Sequence, residues 1–310
     1  MKLWIDCDMG FDDLAAIALC RHQGSEIEGI SLVAGNAPLA QVLLNAMDAS
    51  SAFSWDMPLY LGAEAPLKAP LLTADYVLGA TALPTVGRSL PRATLPRPPQ
   101  GEVLPALIAY LEGGGETVLA LGPLTNIALL LQERPDLAAK MRLVWMGGAF
   151  ARGNHTAVAE FNAAVDPEAI EVVLASGADM TMVSLECCRD VSVTLEALKP
   201  IRALKSEGAA LVGDLYEGYI RIAGNGSRPM ALYDPVAAAV AINPELFDYQ
   251  HVFMQAETEG RHTRGMTVIE WRSHKADPNA RVALNPKADT ITTCLTAALI
   301  KMAKEYDKAL

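Results

Sequence analysis

Lys2-Leu3-Trp4-Ile5-Asp6-Cys7-Asp8-Met9-Gly10-Phe11-Asp12-Asp13 sets four aspartates within eight residues. A short apolar run leads into the acids, and an apolar helical pattern, Asp13–His22, leads out of them. Carboxylates this close repel one another. A fold keeps such a cluster where something positive sits among them, and a hard divalent cation suits all-oxygen donors. Helix capping by Asp12 or Asp13 accounts for one or two of the acids, not four. An EF-hand fails on spacing, because counting from Asp6 the twelfth position is Ile17, not Glu. An aspartyl-phosphate enzyme using Mg²⁺ remains a competing reading of the strand and its Asp-x-Asp.

The same strand-then-helix order repeats outward from this stretch. Apolar runs of strand length are Leu3–Cys7, Glu28–Ala34, Leu59–Gly62, Thr117–Gly122, Leu143–Met146, Met180–Leu185, His251–Ala256 and Met266–Trp271. Helical patterns lie between them at Asp13–His22, Pro38–Ser51, Val103–Leu111, Asn126–Glu133, Pro167–Ser176, Leu195–Leu204, Ala209–Ile222 and Pro235–Ile242. A last helix runs from about Thr290 to Tyr306. Continuously apolar strands such as Ile30–Ala34 imply burial on both faces, as in a parallel sheet covered by helices. The expected fold is α/β: a mostly parallel open sheet flanked by helices, with a Rossmann-like core. No break in composition marks a boundary, so residues 1–310 read as one domain. Pro84–Gln100 and Gly224–Met230 read as long loops.

The 310 residues carry a net charge of −11 and are 51% hydrophobic. That provides ample core and argues against nucleic acid or an anionic membrane as the main partner. No apolar run approaches the roughly 18 residues of a membrane helix. The chain enters a strand at once, leaving no room for a signal peptide. Five cysteines, odd in number and mostly in apolar settings, read as reduced thiols of a cytoplasmic protein. Adjacent Cys187 and Cys188 pair only with strain.

Ligands of open α/β sheets sit at the carboxyl ends of the strands. Polar groups gather there: Asp6–Asp13, Gly35-Asn36, Gly122-Pro-Leu-Thr-Asn126 and Met146-Gly-Gly-Ala149. Asn154, Glu160 and Asn162 precede the helix start Asp166-Pro167. Amides and carboxylates together suit vicinal hydroxyls, as a sugar presents them, and equally suit ordinary loop chemistry. Tyr233-Asp234-Pro235 opens another apolar helix, where Asp234 reads as a cap.

Taken together these landmarks resemble the inosine-uridine preferring nucleoside hydrolase family. Its DxDxGxDD opening appears as Asp6-Cys-Asp8-Met-Gly10-Phe-Asp12-Asp13. Its later segments appear as Val33-Ala-Gly-Asn36, Gly122-Pro-Leu-Thr-Asn126, Met146-Gly-Gly-Ala149, Glu160-Phe-Asn162 with Asp166-Pro-Glu-Ala169, Asp234-Pro-Val-Ala-Ala and Gly265–Trp271. The resemblance implies calcium-dependent hydrolysis of a ribonucleoside to ribose and free base, as in nucleotide salvage. It implies Asp8, Asp13, Asp234 and the carbonyl of Thr125 as Ca²⁺ ligands, and Asp8 as general base. It also implies Asp12, Asn36, Met146, Asn154, Glu160 and Asn162 around the ribose, Asp6 as support, and a homodimer or homotetramer.

The sequence departs from the family where the leaving base is protonated. A family histidine directly before the aspartate of the Asp-Pro segment is Tyr233 here. A second, in an HG-type segment, is replaced within Ala74-Asp75-Tyr76-Val77-Leu78-Gly79. Neither His22 nor His155 stands at a family acid position. A phenol, with a pKa near 10, is the poorer acid at neutral pH. Tyr233 as acid or hydrogen-bond donor, stacking by Tyr216, Tyr219 or Tyr233, or a change to nucleoside binding or another riboside are the open explanations.

Overall fold

The computed structural model describes residues 1–310 except Leu95 and Arg97. The main sheet is built from β1 (Lys2–Cys7), β2 (Glu26–Leu32), β3 (Leu59–Leu61), β4 (Thr117–Ala120), β5 (Arg142–Met146) and β6 (Asp179–Val183). A two-stranded ribbon, β7 (Ser192–Val193) and β8 (Met230–Ala231), stands apart. Three further strands, β9 (Asp248–Ala256), β10 (Thr267–Glu270) and β11 (Ala280–Leu284), complete the main sheet. Its order is β10-β9-β11-β6-β5-β4-β1-β2-β3. All pairings are parallel except those of β9 with β11 and with β10. This is the mostly parallel, helix-flanked sheet that the sequence implies.

Strand periodicity decides which core each side chain enters. From β1, Leu3, Ile5 and Cys7 join one apolar cluster with the helices Phe11–His22, Asp234–Ile242 and Ala288–Ala309. Trp4 points the other way, into a second cluster with the helices Val103–Glu112, Thr125–Glu133 and Pro167–Ser176. β5 splits in the same manner, with Val144 and Met146 in the first cluster and Leu143 and Trp145 in the second. A sheet packed on both faces has only its strand ends free for a ligand, and β1, an interior strand third from one edge, carries the acidic turn.

Several sequence boundaries shift. The run Met180–Leu185 ends as a strand at Val183, because Ser184 accepts the amide of Cys187 and starts the helical turn Leu185–Arg189. Leu195–Leu204 is a 3₁₀ turn, Leu195–Leu198, followed by a short helix, Lys199–Arg202. β11 is absent from the sequence reading and lies between β6 and β9. Pro84–Gln100 forms no helix or strand among its described residues; Leu95 and Arg97 lie outside them. The five cysteines are free thiols, and four of them are buried. Among the described residues no helix is long and apolar enough to cross a membrane.

Candidate active site

The turn after β1 bends through Met9, whose φ of 50° is left-handed. A non-glycine residue there is a cost that the surrounding contacts must hold in place. The bend sends Asp8 and the next helix's acids to one place. Asp8 is buried, and Asn36, after β2, holds both its oxygens: the Asn36 backbone amide donates to Oδ2 at 2.7 Å and Nδ2 donates to Oδ1 at 2.8 Å. Gly35 packs against the same carboxylate, and a β-carbon built on it would overlap Oδ2 of Asp8. Gly35→Ala therefore has to displace Asp8. With Asp8 as the general base that the resemblance implies, kcat is expected to fall at least ~100-fold, as misplacing a reacting group by an ångström does. Circular dichroism should remain native, and steady-state kinetics beside it checks the expectation.

The helix Phe11–His22 is capped by Gly10, whose amide donates to Oδ2 of Asp13 at 2.7 Å. The other Asp13 oxygen is buried and has no hydrogen-bond partner. The helix Asp234–Ile242 starts at Asp234 with Tyr233 in the cap position and no side-chain cap. The Asp234 carboxylate is thus not consumed by capping, contrary to the simplest sequence reading. Asp12, Asp13 and Asp234 each bring a carboxylate oxygen within 4.8 Å of the others. Burial pushes Asp8 up to about 7 and Asp12 up to about 6, and burial with neighbouring negative charge drives Asp13 and Asp234 well above the usual carboxylate range. An orphaned buried oxygen among three converging carboxylates fits a hard cation with oxygen ligands. This trio contains Asp12, whereas the sequence resemblance assigns Asp8 to the metal alongside Asp13 and Asp234. Thr125 opens a helix after β4. Its hydroxyl donates to Asp166 Oδ2 at 2.7 Å.

Asp6 lies inside β1 and faces the second core. Ser31 Oγ donates to its Oδ1 at 2.5 Å and Asn126 Nδ2 donates to the same atom at 2.7 Å. Trp4 Nε1 in turn donates to Ser31 Oγ. Asn126 accepts the Ala63 amide on its own Oδ1, so Asp6 ties β1, β2 and the loop after β3 together.

Asp12 and Asp234 line a cavity of about 820 Å³. Its wall includes Asn36, Met146, Asn154, Glu160, Asn162 and Tyr233, so the sequence-derived sugar residues converge. Their remaining hydrogen-bonding capacity is specific. Asn162 spends Nδ2 on the carbonyls of Leu121 (2.8 Å) and Met146 (2.9 Å), leaving Oδ1 as an acceptor. Asn154 accepts the Phe161 amide on Oδ1, leaving Nδ2 as a donor. Glu160 caps the turn Phe161–Val165 and accepts the amides of Gly148, Asn162 and Ala163. Burial still pushes its carboxyl up to about 7.

Tyr233 is half-buried on the cavity wall, and burial pushes its phenol up to about 12. Tyr216 is in the core, stacked 5.4 Å from Phe11, and Tyr219 donates its hydroxyl to the Ala231 carbonyl at 2.8 Å. Tyr216 therefore offers no face to a base. Sequence reasoning missed Glu186 and Arg189. Glu186 accepts the amides of Phe150, Ala151 and Arg152, and Arg189 donates to the carbonyls of Arg152 and Gly153. Together they root the loop that carries Asn154. The only signal in the sequence is an acid and a base three residues apart in a helical turn.

The model of inosine-uridine preferring nucleoside hydrolases matches residues 3–292. The non-specific ribonucleoside hydrolase RihC of Salmonella typhimurium is 37% identical over 292 residues, 92% of each chain. Among solved structures, the purine-preferring ribonucleoside hydrolase from Gardnerella vaginalis superposes with a TM-score of 0.88 at 25% identity, over 98% of this chain and 99% of that one. An inosine-guanosine nucleoside hydrolase gives 0.86 at 27% identity, over 96% and 98%. With its ordered acidic, amide and strand-end landmarks gathered in one cavity, the chain belongs to the inosine-uridine preferring nucleoside hydrolase family.

Proposed function

We propose that this N-glycosyl hydrolase cleaves ribonucleosides to ribose and free base with Ca²⁺ as its cation, and that Asp8 is the general base. The observation that carries the reading is the cluster of Asp12, Asp13 and Asp234, with a buried, partnerless Asp13 oxygen, beside a cavity that Asp12 and Asp234 line together with Asn36, Asn154, Glu160 and Asn162. Asp13 and Asp234 would hold the cation with Asp8 and the Thr125 carbonyl, and Asp12 stands close enough to join them or to take a ribose hydroxyl. When bound, the cation acidifies water and grips vicinal hydroxyls.

The chain's own residues do the rest. Asp8, fixed by Asn36 at both oxygens, accepts the proton of the water that attacks the anomeric carbon. The Asn162 Oδ1 acceptor and the Asn154 Nδ2 donor, with Asp12, orient the sugar hydroxyls. Positive charge growing on the sugar as its C–N bond lengthens faces carboxylates already in place, which stabilises the transition state more than the ground state. Asp6 keeps β1 in register with its neighbours through Ser31 and Asn126. An aspartyl-phosphate mechanism is disfavoured, since among the described residues no lysine lines the cavity to balance a phosphoaspartate.

p-Nitrophenyl riboside, whose leaving group needs no acid, separates the two halves of the reaction. With calcium present we expect release of reducing sugar from it, and expect Tyr233→Phe to keep most of that rate. No release from the activated riboside by the calcium-loaded protein would sink the hydrolase reading.

A further inference from the structure

We propose that His155 protonates the departing base and that Tyr76 is its positioning residue; this rests on the ribohydrolase reading above. Among the described residues His155 is the one histidine that lines the cavity. Tyr76, from the short helix Asp75–Leu78, lines the same cavity, and its hydroxyl lies 3.1 Å from Nδ1 of His155. The imidazole also meets the Phe161 ring edge-on, with centroids 5.8 Å apart.

Two features make this more than a chance surface contact. First, the His155 backbone is pinned. Its amide, with those of Asn154 and Thr156, donates to the Ala159 carbonyl, and Glu186 and Arg189 secure residues 150–153 just before it. Second, Tyr76 selects the useful nitrogen. A phenol donating to Nδ1 fixes the neutral tautomer with its proton on Nε2, and in the imidazolium Nδ1 donates to the phenol oxygen instead. Both states present an Nε2–H donor. Of the other tyrosines nearby, Tyr219 already donates its hydroxyl to the Ala231 carbonyl, and Tyr216 is in the core.

The step balances. Water adds to the anomeric carbon and yields its proton to Asp8. The C–N bond breaks, and its electron pair goes to the base. The imidazolium Nε2–H is transferred to a base nitrogen, leaving neutral imidazole, which solvent reprotonates while Asp8 returns its proton. Riboside and water become ribose and neutral base.

His155→Ala is expected to lower kcat on inosine and uridine by ~100-fold or more, within the range of general-acid catalysis. p-Nitrophenyl riboside should lose less than ~10-fold. Added imidazole should restore part of the inosine rate in His155→Ala, which a purely structural role would not allow. Tyr76→Phe should show a smaller loss on the same two nucleosides. Unchanged nucleoside kinetics in His155→Ala, or equal losses on activated and natural ribosides, would overturn the proposal. Wild type failing on every riboside would instead overturn the ribohydrolase reading itself.

Discussion

Asp8→Ala is expected to lower kcat/KM by about 10⁴ on uridine and on p-nitrophenyl riboside alike, the upper end for losing a general base. That loss is about 5 kcal/mol of transition-state stabilisation. The two substrates should suffer equally because Asp8 acts on the water, and both reactions need the same water. This separates Asp8 from any group acting on the leaving base, whose removal discriminates between the substrates. The fold should not suffer. Asp8 is buried, with negative neighbours, and burial already pushes its carboxyl up to about 7, so removing it relieves repulsion. Sites of this kind trade stability for chemistry. In EGTA, a melting temperature equal to or above that of wild type, beside turnover lost in calcium, is the expected pair of results. Activity within threefold of wild type on the activated riboside would remove Asp8 from the mechanism.

Chelation should produce the second large effect, and its sign should reverse in a variant. Calcium at about 100 times its Kd stabilises the folded state by about 2.7 kcal/mol. For a chain of this length that is roughly 4 °C in Tm. Wild type in EGTA should therefore melt lower and lose activity, and calcium should restore both. Asp13→Asn should behave oppositely. In EGTA it should melt higher than wild type, because one of three converging carboxylates is neutral. In calcium it should melt lower, because a ligand is gone. The cation is attracted by the same charges that repel one another in its absence. Differential scanning fluorimetry of both proteins in both buffers checks this. A wild-type Tm indifferent to chelator and to calcium would exclude a cation held by the fold.

The sheet was legible because its strands are apolar on both faces and their helices follow at helical period. What escaped was set by distant partners. Ala280–Leu284 is five residues with an arginine among them, and no periodicity of its own marks it as an interior strand. It becomes one because β6 offers Thr181 and Met182 on one side and β9 pairs on the other. In the site, the acidic turn and the amides of residues 36, 154 and 162 were readable as chemistry. Their spare valences were not, since whether Asn162 offers its nitrogen or its oxygen depends on the Leu121 and Met146 carbonyls. His155 carried no local signal at all, and its partner Tyr76 lies 79 positions away.

The position of β11 has a consequence for how the molecule is made. A ribosome delivers β9 and β10 before β11, yet neither has a seat beside β6 until β11 arrives to sit between them. During that interval the hairpin and the open edge of β6 are unpaired strand surface, the kind that recruits neighbouring chains. The acidic cluster waits too, since Asp234 joins Asp12 and Asp13 only after some 220 intervening residues have been synthesised. Assembly of the three-carboxylate cluster is therefore a late event in the life of each nascent chain, and the acidic turn spends most of its synthesis as bare charge.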